Sequence, residues 1–337
     1  MSLPNTYPDP SAIHTVAVVG TGSVGASWTA LFLARGWQVV AYDPASDAEA
    51  RARRFVADAW PALRQLGVAG TDAPPQEALR FVASAAEAAA AADVIQENVP
   101  EKPELKASVL AEIDAVAPPH VPILSSTGGI PPSSMQQACR HPERLVVVHP
   151  FNPSHLIPLV EVVGGRQTDP ALLEWAMGFA RHLGKQPILL HAEASGHMTN
   201  RLQFALVREA VQCLLDGMAS ASDIDAAVRY GLGPRWALMG GLLTLHLAGG
   251  PGGMKGILDH AGPAIEQWWT PTAIPTFDDA TKARLATAAE EVADGREVAE
   301  WVRWRDQQLV EVVRLQQASQ ATEPSAAPDS PSSGASA

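Results

Sequence analysis

The sequence VAVVGTGSVG at residues 16–25 decides the fold class of this chain. Its first four residues are apolar β-formers that run into a glycine-rich segment with the spacing GxGxxG, and a helical pattern follows. A strand, a tight glycine turn and a helix in this order open a dinucleotide-binding βαβ unit. In such a unit Gly20 permits the tight turn, Gly22 lets the backbone approach a pyrophosphate, and Gly25 lets the helix pack closely on the strand.

The start of the predicted helix and the end of the next β run supply the other dinucleotide contacts. Backbone N–H groups at Ser23 and Val24 have no partner inside the helix, and they face the phosphates together with the positive end of the helix dipole. Asp43 closes the second β run eighteen residues after Gly25, where a carboxylate can bind both hydroxyls of an adenosine ribose. Because that carboxylate repels a 2′-phosphate, the pattern predicts NAD rather than NADP. The alternatives, an ordinary loop and a helix N-cap at Asp43, explain each feature only separately.

Short apolar β runs alternate with helical patterns through the first half of the chain. The β runs cover residues 16–19, 38–42, 79–82, 93–95, 121–124, 145–148 and 159–163, and the helices cover 24–35, 48–65, 85–92 and 101–116. Continuous apolar runs separated by helices are typical of parallel strands that are covered on both faces. We therefore expect an α/β fold with a Rossmann-type, doubly wound sheet.

After about residue 192 the β runs give way to long amphipathic repeats, which predict an all-helical C-terminal domain. Predicted helices include the apolar face at residues 200, 204, 207, 211 and 214, a segment capped at Ser220 or Ser222 and ending at Gly231, and residues 236–247 and 280–315. The resulting division is an N-terminal extension (1–13), an NAD-binding Rossmann domain (14–192), a helical C-terminal domain (193–318) and a Ser/Ala/Pro-rich disordered tail (319–337).

Composition and charge exclude several classes of partner and site. The chain carries 24 basic and 36 acidic residues, a net charge of −12, which disfavours nucleic acid and anionic membranes. No apolar stretch reaches about 18 residues, and the polar start lacks the pattern of a signal peptide. Two cysteines, Cys139 and Cys213, cannot build a disulfide scaffold, so we expect a reduced, cytoplasmic setting. No HExxH or paired-cysteine pattern predicts a metal site.

Two polar residues beside or within apolar β runs are the first candidates for chemistry. His149 directly follows LVVV, and the carboxyl ends of parallel strands are where ligands bind in such sheets. Glu161 lies twelve residues later inside IPLVEVV, where a carboxylate is costly unless it is paired. Such a partner would orient the ring, and His149 could exchange a proton with a substrate hydroxyl during hydride transfer. Taken singly, the two also fit a structural histidine and an exposed residue at the sheet edge.

Further polar side chains are predicted near the same edge. Asn200 opens the long helix in GHMTNRLQ and could hydrogen-bond the substrate oxygen or His149, although a capping role is the simple alternative. Ser125, Ser126 and Thr127 close another β run, PILSST, and ordinary turn chemistry in SSTGG is their alternative. These positions complete a candidate catalytic set.

Together these motifs resemble the 3-hydroxyacyl-CoA dehydrogenase family. The resemblance extends from about residue 16 to 262 through GTGSVGA, QENVPEKPELK, SST, HPFNPSHLIPLVEVV and GHMTNRLQ. The segments AWPALRQLG and RYGLGPRWALMGGLLTLHLAGGPGGM are similar to the branch with L-carnitine dehydrogenase and the λ-crystallin/L-gulonate 3-dehydrogenases. The resemblance implies catalytic roles for His149, Glu161 and Asn200, and places Glu97 and Lys102 beside the cofactor. It also implies a homodimer formed through the helical domain.

One position departs from the family pattern, in which a serine follows the threonine of SST. This chain has Gly128 there, so a hydroxyl that would contact the reacting oxygen is missing. Losing one such bond to a transition state costs about 1–3 kcal/mol. Either Ser126 or Thr127 substitutes for the missing hydroxyl, or the pocket is enlarged for a bulkier substrate. The expected function is an NAD-dependent conversion between 3-hydroxy and 3-keto groups on a small 3-hydroxy acid or acyl substrate.

Two other functions fit the same residues. The first is a ketoreductase that acts on a bulkier ketide in a polyketide-type pathway, which Gly128 favours, although Asp43 argues against NADPH. The second is a non-catalytic, crystallin-like structural protein. The complete set of His149, Glu161 and Asn200 argues against that second alternative.

Overall fold

The computed structural model describes residues 7–269 and 275–321. Its strands are β1 (Thr15–Val19), β2 (Gln38–Tyr42), β3 (Leu79–Phe81), β4 (Val94–Glu97), β5 (Ile123–Ser125), β6 (Leu145–Pro150), β7 (Leu159–Gly164) and β8 (Gln186–Leu190). They form one sheet in the order β3-β2-β1-β4-β5-β6-β7-β8. The strand order reverses between β1 and β4, which is the switch point of a doubly wound sheet, so the predicted fold class is confirmed.

Two hydrophobic cores lie on opposite faces of this sheet. The helices that cover it are α1 (Ser23–Ala34), α2 (Ala48–Gln65), α3 (Ala85–Ala90), α4 (Pro103–Val116), α5 (Pro132–Met135) and α6 (Pro170–His182). Val16 and Val18 of β1 belong to the core beneath α1, α2 and α6, whereas Ala17 and Val19 belong to the core beneath α3 and α4. Since successive strand residues point to opposite faces, both faces are apolar, which is why the β runs are continuous rather than alternating.

The last two strands differ from the expectation of uniformly parallel pairing. β7 runs antiparallel to β6, and β8 then pairs parallel to β7. Only residues 151–158 connect β6 to β7, whereas a parallel crossover needs about a dozen residues or more. The sequence patterns predict neither β8 nor α6. The strand signal of QPILL is weak because this edge strand contains Pro187 and is partly exposed along its length.

From Thr199 onward, the described part of the chain contains only helices and the segments that connect them. They are α7 (Thr199–Leu215), α8 (Ala221–Ala226), α9 (Gly233–Ala248), α10 (Gly253–Trp268), α11 (Asp279–Ala293) and α12 (Val298–Gln320). Ser220 is the N-cap of α8, accepting the N–H of Asp223 at 3.1 Å. The predicted helix end at Gly231 is wrong, because a π-helical segment, Ala227–Leu232, carries the chain directly into α9. The predicted helix over 280–315 is two helices, separated at Asp294 and Gly295, both with positive φ.

The described chain falls into two compact units. One extends to Glu209 and also contains Val302–Val310, and the other contains Ala210–Trp301 and α12 from Glu311 onward. α12 continues to Gln320, and the predicted disordered tail otherwise lies outside the described residues. Within residues 7–269 and 275–321, none of the helices has the length and apolar character needed to cross a membrane.

One edge of the sheet collects the predicted site residues of the first unit. Gly20 follows β1, Glu97 ends β4, Ser125 ends β5 and His149 lies near the end of β6. These strands are parallel, so their carboxyl ends meet at the same edge. In doubly wound sheets this edge is where ligands bind.

Candidate active site

The glycine loop after β1 has the shape that a dinucleotide phosphate needs. Gly20 has φ +87°, and a Cβ there would lie 2.8 Å from the carbonyl oxygen of Asn98. A Cβ at Gly25 would lie 1.9 Å from the carbonyl oxygen of Gly20, whereas nothing lies within 4 Å of a Cβ at Gly22. The loop itself therefore requires the first and third glycines, and the middle one leaves the backbone open to a ligand. α1 begins at Ser23 without a side-chain cap, so its first N–H groups can bind an anion.

The Asp43 carboxylate contacts this loop directly. Oδ2 accepts the backbone N–H of Thr21 at 2.8 Å and its hydroxyl at 3.2 Å, and Oδ1 accepts the N–H of Ala45 at 3.0 Å. Asp43 does not cap α2, whose N-cap is Asp47. A carboxylate offers about four lone-pair sites, so this partly exposed side chain keeps acceptor capacity for ligand hydroxyls.

Glu97 is fully buried at the end of β4 and is paired with a lysine. Its carboxylate accepts Nζ of Lys106 at 2.9 Å, the N–H of Val99 at 2.7 Å and the hydroxyl of Ser125 at 2.5 Å. Lys102 is an exposed residue at the N-cap of α4, one turn before the lysine that pairs with Glu97. Both lysines lie in QENVPEKPELK. The sequence alone does not show which of them pairs with Glu97.

His149 and Glu161 face each other across the β6–β7 hairpin. Their Cα positions are partners in the register, and Nδ1 of His149 lies 2.8 Å from Oε2 of Glu161. The twelve residues from His149 to Glu161 form an antiparallel hairpin. Residues that are directly opposite in such a hairpin have side chains on the same face of the sheet. His149 is 7% exposed and Glu161 is fully buried, so the bond between them is shielded from bulk water.

The second oxygen of Glu161 binds the residues at the start of α7. Oε1 accepts the N–H of Met198 at 3.2 Å, and both the N–H and the hydroxyl of Thr199, at 2.7 and 2.9 Å. Burial raises the pKa of this carboxyl, but the hydrogen bonds from His149 and Thr199 outweigh burial and hold the pKa below its ordinary value. Glu161 is therefore ionised at neutral pH and accepts the Nδ1 proton of His149. In the neutral ring, Nε2 is then left as a proton acceptor.

Gly128 lies directly beside His149 and Asn200. A Cβ at this position would lie 3.3 Å from Nε2 of His149 and 3.3 Å from Nδ2 of Asn200. Nδ2 of Asn200 also donates to the carbonyl oxygen of Gly128 at 2.9 Å, which fixes the amide beside the ring. A proton acceptor and an amide donor thus lie beside the same position without a side chain, and a ligand oxygen at that position would be near both.

The two hydroxyls considered as substitutes for a serine at position 128 are both engaged elsewhere. Thr127 donates its hydroxyl to Oε1 of Glu101. Ser126 makes no hydrogen bond with His149 in the described structure, because three other side chains occupy its hydroxyl. These partners are Nε1 of Trp28 at 3.1 Å, Nε2 of Gln96 at 2.9 Å and Oδ1 of Asn98 at 2.8 Å. The structure therefore brings together His149, Glu161 and Asn200 but not Ser126.

His197 is a site residue that the sequence analysis does not single out. Its buried ring lies 5.5 Å from the ring of His149, and Nε2 lies 3.1 Å from the carbonyl oxygen of Thr127. Its φ is +48°, a conformation uncommon outside glycine. Burial and the neighbouring His149 lower its pKa, so the ring is neutral at ordinary pH. Its only signal in the sequence is its position in GHMTNRLQ, directly before α7.

Two family models match most of the chain. Residues 15–194 match the NAD binding domain of 3-hydroxyacyl-CoA dehydrogenase, and residues 196–289 match its C-terminal domain. Proteins named L-carnitine dehydrogenase are similar over nearly the whole length. The one from Streptomyces griseus is 47% identical over 305 residues, covering 90% of this chain and 90% of that protein. The one from Pseudomonas aeruginosa is 45% identical over 301 residues, covering 89% and 93%.

A solved structure shares the fold over a similar length. It is 5-formyl-3-hydroxy-2-methylpyridine 4-carboxylic acid 5-dehydrogenase, described as an NAD+-dependent dismutase. It is 29% identical, with a TM-score of 0.76, and the match covers 90% of this chain and 99% of that chain. The glycine loop, with its middle residue open, fits NAD as the cofactor of this domain. The chain belongs to the 3-hydroxyacyl-CoA dehydrogenase family and is an NAD-dependent oxidoreductase.

Proposed function

We propose that this enzyme interconverts a 3-hydroxy and a 3-keto group on a small 3-hydroxy acid or acyl substrate. The observation that carries the proposal is the absence of a side chain at Gly128, a position that adjoins both Nε2 of His149 and Nδ2 of Asn200. A substrate oxygen entering there meets a base and a hydrogen-bond donor together. Oxidation of an alcohol needs a base for the hydroxyl proton, and reduction of a ketone needs a donor to its oxygen.

His149 is the general acid/base in this mechanism. Because Glu161 accepts the Nδ1 proton, neutral His149 presents the lone pair of Nε2 to the substrate hydroxyl. As the ring takes up the hydroxyl proton, the buried Glu161 carboxylate stabilises the imidazolium that forms. NAD, when bound, supplies the acceptor for the hydride that leaves the same carbon. In the reverse direction His149 returns the proton to the keto oxygen, while Asn200 donates a hydrogen bond to it.

The N-terminal unit holds the cofactor in this proposal. The phosphate loop consists of Gly20, Gly22, Ser23, Val24 and Gly25. Asp43 binds the ribose hydroxyls, and its negative charge favours NAD over NADP. Glu97 is buried with Lys106 and fixes the residues after β4, and Lys102 contacts the cofactor from the exposed start of α4. Ser126, bonded to Trp28 of α1, supports the cofactor side rather than the proton-transfer step.

L-carnitine is the first substrate to test. Eight relatives that are 42–47% identical over 89–92% of this chain are named L-carnitine dehydrogenase. Carnitine is a small free acid with a 3-hydroxyl group, so it fits the chemistry of His149 and Asn200 without requiring a site for CoA.

A second candidate is reduction of a bulkier keto substrate. The feature that favours it is again Gly128, because the position where the family pattern has a serine carries no side chain beside His149 and Asn200. A purely structural role is disfavoured, since a non-catalytic protein has no need for a buried, hydrogen-bonded His149–Glu161 pair.

We also propose that the protein is a homodimer formed through its helical unit. Among residues 211–269, 275–301 and 311–321, only Val211, Gly253, Ala288 and Val313 are buried. α9 exposes Leu242 at 80% and Leu247 at 57%, and Trp268 at the end of α10 is 74% exposed. A helical unit with so little burial is not stable alone, and a second copy offers matching apolar helices as its cover.

The setting and partners in this proposal are those of a metabolic enzyme of the cytoplasm. Cys139 and Cys213 are both free, as expected where thiols stay reduced. The net charge of −12 disfavours nucleic acid and anionic membrane surfaces as partners. The remaining partners are the small hydroxy or keto substrate and the second copy of the chain.

The first test measures NADH absorbance with L-carnitine, L-gulonate, 3-hydroxybutyrate and 3-hydroxybutyryl-CoA, each with NAD or NADP. We expect turnover with NAD, and His149→Ala should lower kcat about 10²- to 10⁴-fold because the base is lost. His120→Ala, which removes an exposed histidine, is the matched control and should keep wild-type kcat. Equal turnover by the His149 variant contradicts the mechanism. Silence with every substrate, while NADH still binds, favours the bulkier keto substrate.

Glu161→Gln tests the role of the buried carboxylate. An amide N–H facing Nδ1 of His149 forces the ring proton onto Nε2, which can then no longer accept a proton from the substrate. We expect kcat to fall about 10²- to 10⁴-fold with little change in the KM for NAD. Glu193→Gln is the control and should keep kcat. The Glu193 carboxylate accepts the N–H and the hydroxyl of Ser133 and makes no contact with His149 in the described residues. Unchanged kcat in Glu161→Gln would show that the carboxylate does not set the tautomer.

The same variant has a defined pH dependence of stability. The pKa of Glu161 is lowered in the folded protein, so its charge stabilises the fold above the ordinary carboxyl pKa. That stabilisation is lost as the pH falls through the lowered value. The difference in free energy of unfolding between wild type and Glu161→Gln should therefore be largest near neutral pH and should shrink below about pH 4. Urea titrations across this range provide the measurement.

Substitutions at Gly128 test where the reacting oxygen binds. The Cβ of Gly128→Ala would lie 3.3 Å from both Nε2 of His149 and Nδ2 of Asn200, so this variant should already lower kcat/KM for either substrate. Gly128→Val should lower kcat/KM further, by about 10²-fold or more, because its larger side chain displaces the reacting oxygen. NADH affinity, measured in parallel, should stay at the wild-type value. Wild-type kcat/KM in Gly128→Val would place the reacting oxygen elsewhere.

Leu242→Glu tests the dimer. A charge on the exposed face of α9 should prevent apolar contact between copies, and sedimentation velocity should change from a dimer to a monomer. Ala57→Glu puts the same charge on the exposed face of α2 in the other unit and should leave the dimer intact. A wild-type protein that sediments as a monomer at micromolar concentration contradicts the proposal.

A further inference from the structure

A buried pair of side chains joins the dinucleotide helix α1 to the loop of the β6–β7 hairpin. The hydroxyl of Ser27 lies 2.8 Å from Nδ1 of His155, and the backbone N–H of His155 donates to the same hydroxyl at 2.8 Å. Ser27 is fully buried and His155 is 4% exposed. Ser27 follows the glycine loop on α1, and His155 lies between the strands that carry His149 and Glu161.

The bond holds with either tautomer of the neutral ring. The hydroxyl of Ser27 accepts the N–H of His155 and keeps a proton and a second lone pair, so it can donate to Nδ1 or accept the proton of Nδ1. Burial, together with the charges of Lys185 and Arg305, lowers the pKa of His155 to about 3, so the bond persists through the neutral range. Nε2 of His155 is buried without a hydrogen-bond partner, which costs free energy of folding. An apolar residue at position 155 would avoid this cost.

The neighbouring residue of α1 contacts a second segment of the candidate site. Nε1 of Trp28 donates to the hydroxyl of Ser126, at the end of β5. Below the same indole ring, at 5.5 Å from its centroid, lies Nζ of Lys185, which donates to the carbonyl oxygens of Ser154 and Ile157. Two consecutive residues of the dinucleotide helix thus hold both segments that surround His149, and Lys185 fixes the hairpin loop beneath them.

We propose that Ser27 and His155 form a clamp that couples the cofactor helix to the catalytic hairpin, so that binding of the dinucleotide positions His149. In this role Ser27 and His155 are positioning residues, since neither touches the reacting atoms. The kinetic part of the inference rests on the proposed function, whereas the coupling rests only on NAD binding. A merely structural bond would stabilise the fold without transmitting cofactor binding to the hairpin.

The deciding experiment is hydrogen–deuterium exchange with and without NADH on the full-length protein. In the wild type, NADH should slow exchange both at residues 20–25 and at the hairpin loop, residues 151–158. Ser27→Ala should keep the protection at the glycine loop and lose it at the hairpin loop. Thr29→Val is the matched control, because it removes an equally buried hydroxyl of α1 that bonds only within the helix, to the carbonyl oxygen of Gly25 at 2.9 Å. This control should keep both protections.

Substitutions of His155 test the ring nitrogen that faces Ser27. His155→Asn places a polar atom of its amide near the position of Nδ1 and should retain the coupling, whereas His155→Leu should lose it. With an active substrate, Ser27→Ala should lower kcat about 10-fold or more, because a small misplacement of the base slows the reaction, while the KM for NAD stays near wild type. The primary isotope effect of substrate deuterated at the carbinol carbon should rise, since chemistry becomes more rate-limiting.

Each outcome bears on the clamp separately from the proposed function. Equal NADH-induced protection of residues 151–158 in wild type and Ser27→Ala overturns the clamp. Lowered thermal stability of Ser27→Ala, with unchanged protection, kcat and isotope effect, also overturns it and leaves a structural bond. If the wild type oxidises no 3-hydroxy acid, the proposed function fails, but the exchange experiment still decides whether α1 and the hairpin are coupled.

Discussion

One buried carboxylate constrains the whole edge of the sheet where the candidate site lies. Glu161 is fully buried in β7, and a charge there is tolerated only when donors surround it. Its donors come from two places, the ring of His149 on β6 and the residues that begin α7. The antiparallel register of β6 and β7 sets His149 opposite the carboxylate. The start of α7 is fixed as well, because Thr199 gives both its N–H and its hydroxyl to the same oxygen.

The cofactor side of the site follows a different physical principle. The glycine loop uses the absence of side chains, since close backbone approach requires Gly20 and Gly25, while Gly22 leaves open space. Gly128 extends this principle to the candidate proton-transfer site, where a side chain would crowd Nε2 of His149 and Nδ2 of Asn200. The chemistry of the site therefore depends as much on positions without side chains as on its charged pair.

Much of the fold could be predicted from the sequence because its signals are local. The bounds of β2 and α2 follow directly from the patterns QVVAY and AEARARRFVADAWPALRQ. The His149–Glu161 pairing was also accessible, since a carboxylate inside an apolar strand needs a partner and the hairpin length supplies one. In contrast, the sequence wrongly predicts that a helix ends at Gly231. A glycine permits a left-handed cap but does not require one, and the chain continues there as a π-helical segment.

Other features depend on neighbours that are distant in the sequence. Ser126 and Thr127 end a β run at the correct edge, but Trp28, Gln96, Asn98 and Glu101 engage their hydroxyls away from His149. Lys106, which the sequence analysis does not single out, pairs with Glu97, and Lys102 lies one turn before it at the exposed start of α4. The only signal for His197 is its place directly before α7, and its position beside His149 follows a left-handed backbone conformation.

The bonds from the start of α7 to Glu161 have a consequence for recombination between relatives. The two regions that match the family models meet at residues 194–196, which suggests a natural crossover point for chimeric enzymes. A junction there would combine Glu161 of one parent with Met198 and Thr199, which donate to this carboxylate, of another. Residues 196–200 should instead be inherited together with the β6–β7 hairpin. Exchange of the helical region is better begun beyond Glu209, where the first segment of this compact unit ends, and should leave Val302–Val310 with the N-terminal parent. The carboxylate and the groups that donate to it then come from the same parent.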